Sequence, residues 1–380
     1  MPISPERLAD IFVRLCETDS PSFKEGRLAA LLKEIFTELK ADSIEDDGSA
    51  IRTGSDCGNL IVRFSGSDLV NQPVFFNCHM DTVRPGEGVR VLRQDSIFSS
   101  AGDTVLGGDD KSGIAILIEA MRAIREDGIP HCPVEFIFTT GEEIGLLGAK
   151  ALDHSRIRAR YGYALDMDST DNVITRAPAA NRLIVTITGI SAHAGLNPEQ
   201  GVNAIQLMAK ALAGLRLGRL DEESTANFGV ISGGEATNII PARVRVDGEV
   251  RSHNEAKLDS YTQEIKEAFS RVVDGWSDPA GLALGRPSLR LDISREYPAM
   301  HLNPDCPVIK RVQSAALHLQ RTMQPLQTGG GSDANIFNGY GLETAIIGTG
   351  MKKVHSTQEY IDLKDMLKTT ELIKSILTTA

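Results

Sequence analysis

Acidic side chains and histidines follow several apolar runs of the sequence. Glu142 and Glu143 stand side by side in TTGEEIGLLG, directly after the run VEFIF. Similar positions hold His79 and Asp81 in NCHMD, Asp109 and Asp110 in GGDDKSG, Asp166 and Asp168 in LDMD, and His355 in VHSTQEY. Any one of these residues could simply cap a loop or a helix. Together they offer two imidazoles and three carboxylates, from His79, Asp109, Glu143, Asp166 and His355.

Two imidazoles and three carboxylates suit a centre of two divalent ions. One carboxylate would bridge the ions, which leaves one histidine and one acid for each of them. Mixed nitrogen and oxygen ligation favours zinc, with cobalt or manganese as alternatives. A cation suits GGDDKSG better than a phosphate, because the residue before Lys111 is acidic where a phosphate-binding loop has glycine and two acids would repel a phosphate.

The elements that must position these residues form an alternating pattern of strands and helices. Apolar strand candidates such as VFFNCHMD, VEFIFTT, YGYALDMD and ETAIIG are separated by helical segments, and SGIAILIEAMRAIRED is clearly amphipathic. This alternation predicts an α/β fold with a mostly parallel mixed sheet flanked by helices. In such sheets functional groups collect at the carboxyl ends of the strands, and the candidates lie there.

A second pattern interrupts the first after about residue 178. The alternating strands RLIVTITG and ARVRVDGEVRSH, with helices near 202–217 and 255–272, predict a smaller α+β unit. The α/β pattern then resumes. We therefore expect a discontinuous catalytic domain of residues 1–178 plus 293–380, and an inserted domain of residues 179–292 that acts as a lid.

The bulk composition is that of an ordinary globular protein with an acidic net charge. The chain has 380 residues, 41% of them hydrophobic and 24% charged, and a net charge of −11. This charge disfavours nucleic acid and anionic membranes as partners. The five cysteines are scattered without CxxC pairing, which is typical of reduced thiols. With neither a signal-peptide pattern nor an apolar run of membrane-spanning length, we expect a cytoplasmic protein.

The order of the motifs resembles that of a known family. HMDT, GGDDKSG, TTGEEIGLLG, ALDMD, SAHAG, GGGSDAN and VHSTQEY follow the order of the M20 co-catalytic metallopeptidases and extend over nearly the whole chain. Within that family the sequence is similar to the peptidase T-like tripeptide aminopeptidases. The resemblance implies a zinc exopeptidase-like sheet, with an inserted ferredoxin-like domain through which the protein forms a homodimer.

The resemblance also implies a role for each candidate. The metal ligands would be His79 with Asp166 for one zinc ion, Glu143 with His355 for the other, and Asp109 as the bridge. Asp81 would orient the histidine of its motif, and Glu142 would be the general base. The peptide bond that precedes Asp110 would be cis. From the residues alone, Asp168 and Asp110 stay open as alternatives to the neighbouring acids, and the two glutamates could exchange roles.

Four further residues match family positions that contact substrate. His193 in SAHAG would reach the active site of the neighbouring subunit and stabilise the oxyanion. Asn238 and Arg251 would bind substrate, the arginine through a carboxylate. The GGGSDAN turn, with Gly331, would line the pocket through its backbone. From the residues alone, His193 could instead pack under a loop, Asn238 could be a turn residue and Arg251 a solvated one.

Together these expectations predict that the protein is a hydrolase. A water activated by two zinc ions and a glutamate would release the N-terminal residue of a short peptide, above all a tripeptide. The same machinery could act on N-acyl amino acids or dipeptides, or as a carboxypeptidase, because specificity lies in the shape of the pocket. A catalytically silent metal-binding scaffold would be expected to lack the base or a ligand, whereas this sequence keeps Glu142 and every ligand candidate.

Overall fold

The computed structural model describes residues 3–67 and 72–378. The chain folds into two compact units. Unit 1 comprises the described residues up to Arg176, Met300–Thr328 and those from Ser332 onward, and unit 2 comprises Ala177–Ala299 with Gly329–Gly331. The expected boundary between residues 292 and 293 falls inside a strand, Ser288–Tyr297, that pairs along its length with another strand of unit 2.

Helices and strands are numbered separately along the chain. The α-helices are α1 (Pro5–Cys16), α2 (Gly26–Glu38), α3 (Ala50–Thr53), α4 (Gly108–Glu126), α5 (Leu147–Ala151), α6 (Ala204–Ala213), α7 (Glu255–Asp274), α8 (Pro307–His318), α9 (Asp333–Gly339) and α10 (Leu363–Thr378). The strands are β1 (Ser43–Asp46), β2 (Leu60–Phe64), β3 (Val74–His79), β4 (Val91–Gln94), β5 (Ile97–Ser100), β6 (Val134–Thr139), β7 (Tyr161–Ala164), β8 (Asn172–Ala177), β9 (Ala179–Thr188), β10 (Gly218–Arg219), β11 (Ser224–Gly233), β12 (Arg243–Ser252), β13 (Ser288–Tyr297), β14 (Met300–His301), β15 (Gln324–Gln327), β16 (Glu343–Ile347) and β17 (Tyr360–Asp362). Within residues 3–67 and 72–378, no helix is both long and apolar enough to cross a membrane.

Unit 1 is built around a mixed sheet. Among the described residues its strand order is β1-β2-β6-β3-β7-β16-β8-β14, and β15 pairs with β8. The central strands β6, β3, β7 and β16 run parallel to one another. Every residue of β3 and β6 is buried, as expected for parallel strands covered by helices on both faces. The expected mixed α/β sheet is confirmed, with its parallel part at the centre.

Local sequence explains how two helices of unit 1 begin and pack. The Ser4 hydroxyl accepts the backbone N–H of Arg7, and Pro5 occupies the first turn of α1, where its missing N–H costs nothing. The helix α4 begins within the GGDDKSG motif and packs on β3. Its apolar residues, including Ile114 and Leu117, are fully buried. This places the start of α4 at the end of the sheet where β3 also ends.

Unit 2 has the element order β9, α6, β11, β12, α7, β13, with the short β10 beside β11. Its sheet has the order β10-β11-β12-β9-β13, and every neighbouring pair is antiparallel. This is the ferredoxin-like arrangement that the resemblance implies. Its core includes Leu183 and Val185 of β9, Val246 of β12 and Phe269 of α7. Unit 2 therefore buries a hydrophobic core of its own.

Two long strands of unit 2 are absent from the sequence prediction. The strand β11 contains glycine and asparagine, residues that are depleted in strands, and most of its side chains are exposed. The strand β13 extends across the expected domain boundary. Both gain their regular structure from pairing, β11 with β12 and β13 with β9.

Candidate active site

The metal-ligand candidates lie at one edge of the unit 1 sheet. The four central parallel strands all end at this edge. Each ends at or is followed by one candidate: β6 by Glu143, β3 by His79, β7 by Asp166 and β16 by His355. Residues distant in sequence meet here because parallel strands deliver their carboxyl ends to the same side of the sheet.

Asp109 lies between the two histidines. It stands near the start of α4 with a non-helical backbone (φ −83°, ψ 107°), and the peptide bond to Asp110 is cis, as the resemblance implies. Asp109 Oδ1 is 3.0 Å from His79 Nε2, and Asp109 Oδ2 is 3.3 Å from His355 Nε2. Each oxygen of this carboxylate faces one imidazole, which is the placement that a bridging ligand needs.

The remaining candidates complete two groups around Asp109. Glu143 Oε2 is 3.1 Å from His355 Nε2. Asp109 belongs to two sets of three residues, and within each set the donor atoms lie within 4.8 Å of one another. One set is His79, Asp109 and Asp166, and the other is Asp109, Glu143 and His355. The two sets share Asp109, so one carboxylate is common to both groups of donor atoms.

The acids next to two of these candidates have different surroundings. Asp168 is exposed, and its carboxylate lies 3.8 Å from Lys352 Nζ. Asp110 is buried beside the Cys78 thiol, and burial raises the pKa of the Asp110 carboxyl group well above its usual range. The described part of the chain places neither acid in a set of metal donors.

The charges of this cluster are unbalanced toward the negative side. Burial raises the pKa of Glu143, and it raises that of Asp166 to about 7. Burial would also raise the pKa of Asp109, but hydrogen bonds from His355 and His79 outweigh it and lower that pKa. The contacts with Asp109 and Glu143 in turn raise the pKa of His355 to about 10. Positive charge among these groups is therefore favoured.

The donor set fits divalent metal ions. Imidazole nitrogens combined with carboxylate oxygens are ligands of zinc, cobalt and manganese. His79 Nδ1 lies 2.9 Å from the main-chain oxygen of Asp81, which directs Nε2 of the same ring toward Asp109. A partner on the second ring nitrogen is the usual way in which proteins orient a metal-bound histidine.

Asp81 is fully buried and connects His79 to the acid pair. Its Oδ1 accepts the backbone N–H of Glu142 at 2.9 Å, and its Oδ2 accepts that of Glu143 at 3.2 Å. Its Oδ1 is 3.5 Å from His79 Nδ1, farther than its main-chain oxygen. The main-chain oxygen of Asp81 thus makes the shorter contact with His79, and its carboxylate holds the turn of the two glutamates.

Glu142 reaches the same cluster from the neighbouring position of that turn. Donor atoms of Glu142, Glu143 and His79 lie within 4.8 Å of one another. Burial raises the pKa of Glu142 well above its usual range, an effect that the charge of His79 partly opposes. The two glutamates therefore point into one cluster, but only Glu143 contacts His355.

The segment TDSPSFKE, between α1 and α2, also contacts this site, although it matches none of the motifs that predict the site from the sequence. The Ser22 hydroxyl donates to Asp81 Oδ2 at 2.7 Å, and Glu25 Oε1 accepts the backbone N–H of Gly141 at 2.9 Å. The segment therefore supports both the HMDT and the TTGEE loops. Its only signal in the sequence is a polar stretch between two amphipathic helices, which by itself predicts no more than a loop.

Within unit 2, His193 and Asn238 lie on neighbouring backbone segments. His193 forms a β-bridge with Ile239, and the N–H of Ala194 donates to the main-chain oxygen of Asn238 at 2.9 Å. His193 Nδ1 accepts the N–H of Gly195 at 3.2 Å. The side chains of His193 and Asn238 are exposed, so this histidine does not pack under a loop.

Arg251 and Gly331 form a second group in unit 2, around Tyr297. Arg251 Nη1 donates to the main-chain oxygen of Gly329 at 3.3 Å, and its Nε lies 2.9 Å from Glu249 Oε1. A side-chain carbon at Gly331 would lie 2.3 Å from the ring of Tyr297, so the close packing requires glycine. Arg251 is therefore held in place rather than freely solvated.

Comparisons with solved structures place the whole chain among peptidases. The aminopeptidase PepT from Bacillus cereus ATCC 10987 is 38% identical, with 99% of this chain and 98% of that chain covered and a TM-score of 0.86. A tripeptidase from Staphylococcus aureus subsp. aureus mu50 is 31% identical, with 100% and 99% covered and a TM-score of 0.90.

Sequence comparisons agree with the structural ones. Peptidase T of Exiguobacterium sp. (strain ATCC BAA-1283 / AT1b) is 26% identical over 291 residues, which are 75% of this chain and 67% of that protein. The profile of peptidase family M20/M25/M40 matches residues 75–379 and so includes every metal-ligand candidate. The chain therefore belongs to peptidase family M20 and is a metallopeptidase.

Proposed function

We propose that the protein is an aminopeptidase that releases the N-terminal residue of short peptides, with tripeptides as preferred substrates. The observation that carries the proposal is the position of Asp109, whose two oxygens face His79 and His355. The likeness over nearly the full chain to an aminopeptidase, at 38% identity, and to a tripeptidase, at 31%, supports the cleaved end and the peptide length.

Two zinc ions would be held on either side of Asp109. His79 and Asp166 would hold one ion, Glu143 and His355 the other, and Asp109 would be shared. Cobalt or manganese could replace zinc, because the same ligand atoms suit them. Such ions, when bound, supply a Lewis acid and lower the pKa of a water molecule.

Glu142 would move the proton during hydrolysis. Its carboxylate would take a proton from a water molecule as the water oxygen bonds to the carbonyl carbon of the substrate. It would then deliver this proton to the nitrogen of the leaving amine, so that the amide C–N bond breaks and a neutral amine departs. Glu143 lies 3.1 Å from His355, which supports its role as a ligand and leaves Glu142 for the proton transfer. Asp81 would keep the two glutamates apart in these roles by accepting both of their backbone N–H groups.

Residues of unit 2 would bind the substrate. The guanidinium of Arg251 suits the carboxylate of a short peptide, and the turn at Gly331 would line the pocket through its backbone. Asn238 would contact the peptide. His193 would stabilise the oxyanion in the active site of the neighbouring subunit of a homodimer. Its exposure in unit 2 supports a role outside the core of its own unit.

Exposed apolar residues of β11 support a homodimer formed through unit 2. Val230 and Ile231 are 60% and 62% exposed. Among residues 3–67 and 72–378, the partner on one side of their strand is the short β10, which pairs with Thr225 and Ala226. Exposed strands with apolar side chains tend to associate with another chain. Light scattering on the protein as it elutes from a size-exclusion column would measure its mass in solution. If the protein is a monomer and still hydrolyses tripeptides, neither the homodimer nor the role of His193 in a neighbouring subunit holds.

The function is tested with a substrate panel on protein stripped of ions and reloaded with zinc, cobalt or manganese. We expect cleavage of the first peptide bond of tripeptides with a free amine. The matched N-acetylated tripeptides should resist, and dipeptides and tetrapeptides should react more slowly. Faster turnover of N-acyl amino acids or dipeptides than of tripeptides would contradict the tripeptide aminopeptidase assignment and indicate a different amidohydrolase activity. If the protein binds metal stoichiometrically but hydrolyses none of these substrates, it is a metal-binding scaffold and not an enzyme.

A further inference from the structure

Glu359 is a buried acid that the proposed reaction does not use. It lies in VHSTQEY, directly before β17, and is 2% exposed. Its Oε2 accepts the backbone N–H groups of Leu106 and Gly107 at 2.8 and 2.9 Å, and its Oε1 accepts that of Asp109 at 3.0 Å. One carboxylate thus holds the segment that carries the central ligand candidate.

The two glycines before Asp109 make room for this carboxylate. Gly107 has a φ of +75°, a region that favours glycine, and a side-chain carbon on Gly108 would lie 3.0 Å from Glu359 Oε1. The helix α4 begins here without a side-chain cap from its own N-cap residue. The first N–H groups of a helix have no partner within it, and Glu359 supplies one from 250 residues along the chain.

The loop of Glu359 also carries His355. Lys352 and Tyr360 exchange backbone hydrogen bonds at 2.9 and 3.1 Å, which closes the loop between them. His355 lies inside this closed loop with a φ of +60°. Glu359 therefore connects the loop that carries His355 to the segment that carries Asp109. In these two segments His355 Nε2 and Asp109 Oδ2 are 3.3 Å apart.

We propose that Glu359 is a positioning residue that keeps Asp109 and His355 at the spacing required for metal binding. The inference rests on the proposed function, because it takes both residues as ligands. The Glu359 carboxylate accepts backbone N–H groups, and among the described residues it belongs to none of the sets of metal donors. Without its charge, three buried N–H groups would lose a strong acceptor, and the two segments would no longer be held together.

The isosteric substitution Glu359→Gln tests this role. It keeps the volume of the side chain but replaces one acceptor oxygen with an NH₂ group that faces other donors. Zinc affinity would be measured by competition with a chromophoric chelator, a readout that does not depend on turnover. We expect the affinity to fall about 10–100-fold, the usual effect of losing a partner of a metal ligand. At saturating zinc, most of kcat should return and KM should be unchanged.

Glu135→Gln is the matched control. Glu135 is also a buried acid of unit 1, and it accepts two backbone N–H groups, from Arg158 and Ala159 at 2.7 and 2.9 Å. It lies near the start of β6, at the opposite end of that strand from the site. We expect E135Q to lower the unfolding temperature and to keep the wild-type zinc affinity. If E359Q behaves in the same way, Glu359 is only a helix cap and the inference is overturned.

Gly108→Ala provides a second test if E359Q does not fold. The added carbon displaces the Glu359 carboxylate without removing its charge, and the backbone of Gly108 lies outside the left-handed region. We expect a smaller but measurable loss of zinc affinity. Wild-type protein that binds no divalent ion would refute the proposed function itself. If Asp109→Ala and His355→Ala weaken zinc binding while G108A and E359Q do not, only the inference about Glu359 fails.

Discussion

Glu142 and Glu143 are neighbours in the chain but differ in their contacts. We therefore expect a mutation of Glu142 to affect turnover and a mutation of Glu143 to affect zinc binding. Glu143 lies 3.1 Å from His355, whereas Glu142 shares the cluster without that contact. We expect Glu142→Gln to keep its zinc content and unfolding temperature while kcat falls about 10²–10⁴-fold, the usual contribution of a general base. Glu143→Gln should instead lose zinc affinity. Metal analysis and tripeptide kinetics separate the two, and unchanged turnover in E142Q would refute the assignment of the base.

The pair Asp166 and Asp168 gives a second test at the scale of single residues. Asp166 groups with His79 and Asp109, whereas Asp168 is exposed near Lys352. We expect Asp166→Asn to weaken zinc binding by more than the roughly 10–100-fold typical of an outer partner, because a ligand is lost. Asp168→Asn should bind zinc as the wild type does. The same chelator competition measures both, and a reversed order would mean that Asp168 is the ligand.

At the scale of elements, the positions of the ligand candidates were easier to predict than the residues that support them. Each candidate stands within a motif near the end of an apolar strand or the start of a helix, so the local pattern predicts where it lies in the fold. The supports act over long separations: Ser22 contacts Asp81 across 59 residues and Glu25 contacts Gly141 across 116. Local patterns carry no information about such pairings. The extent of β11 and β13 was missed because strand pairing, not propensity, defines them.

His154 offers an element-scale prediction about pH. It lies in a single 3-10 turn, His154–Arg156, with its ring stacked on Tyr340 after α9 at a centroid distance of 3.7 Å. Burial lowers the pKa of His154 to about 4, below its ordinary value of 6.5. Between these pH values the unfolded chain binds a proton that the folded protein excludes. The free energy of unfolding should therefore fall as the pH decreases from about 6.5 to about 4.

The variant His154→Phe isolates this contribution. Phenylalanine keeps an aromatic ring on Tyr340 and does not titrate, so its unfolding free energy should fall less than that of the wild type between pH 6.5 and 4. Above pH 7 the difference between the two proteins should be constant. Denaturant titrations at a series of pH values measure both curves. Parallel curves over the whole range would show that His154 is protonated equally in the folded and unfolded states.

At the scale of the whole molecule, the two units differ in what metal removal should do to them. The candidate ligands all belong to unit 1, whereas unit 2 buries its own core around residues such as Leu183 and Phe269. A ligand that binds only the folded state stabilises it, by about 4 kcal/mol at a free concentration 1,000 times its Kd. Chelation should therefore destabilise unit 1 in particular.

The single tryptophan makes this difference measurable. Trp276 packs against the core of unit 2, so its fluorescence reports the unfolding of that unit, whereas far-UV circular dichroism reports both. We expect a chelator to lower the midpoint of the circular dichroism transition and to leave the fluorescence midpoint nearly unchanged, with reversal on adding zinc. The variant Asp166→Asn should show the lower midpoint without the chelator. Equal shifts of both signals would mean that the two units unfold as one, because loss of the ions in unit 1 would then be transmitted to the surroundings of Trp276.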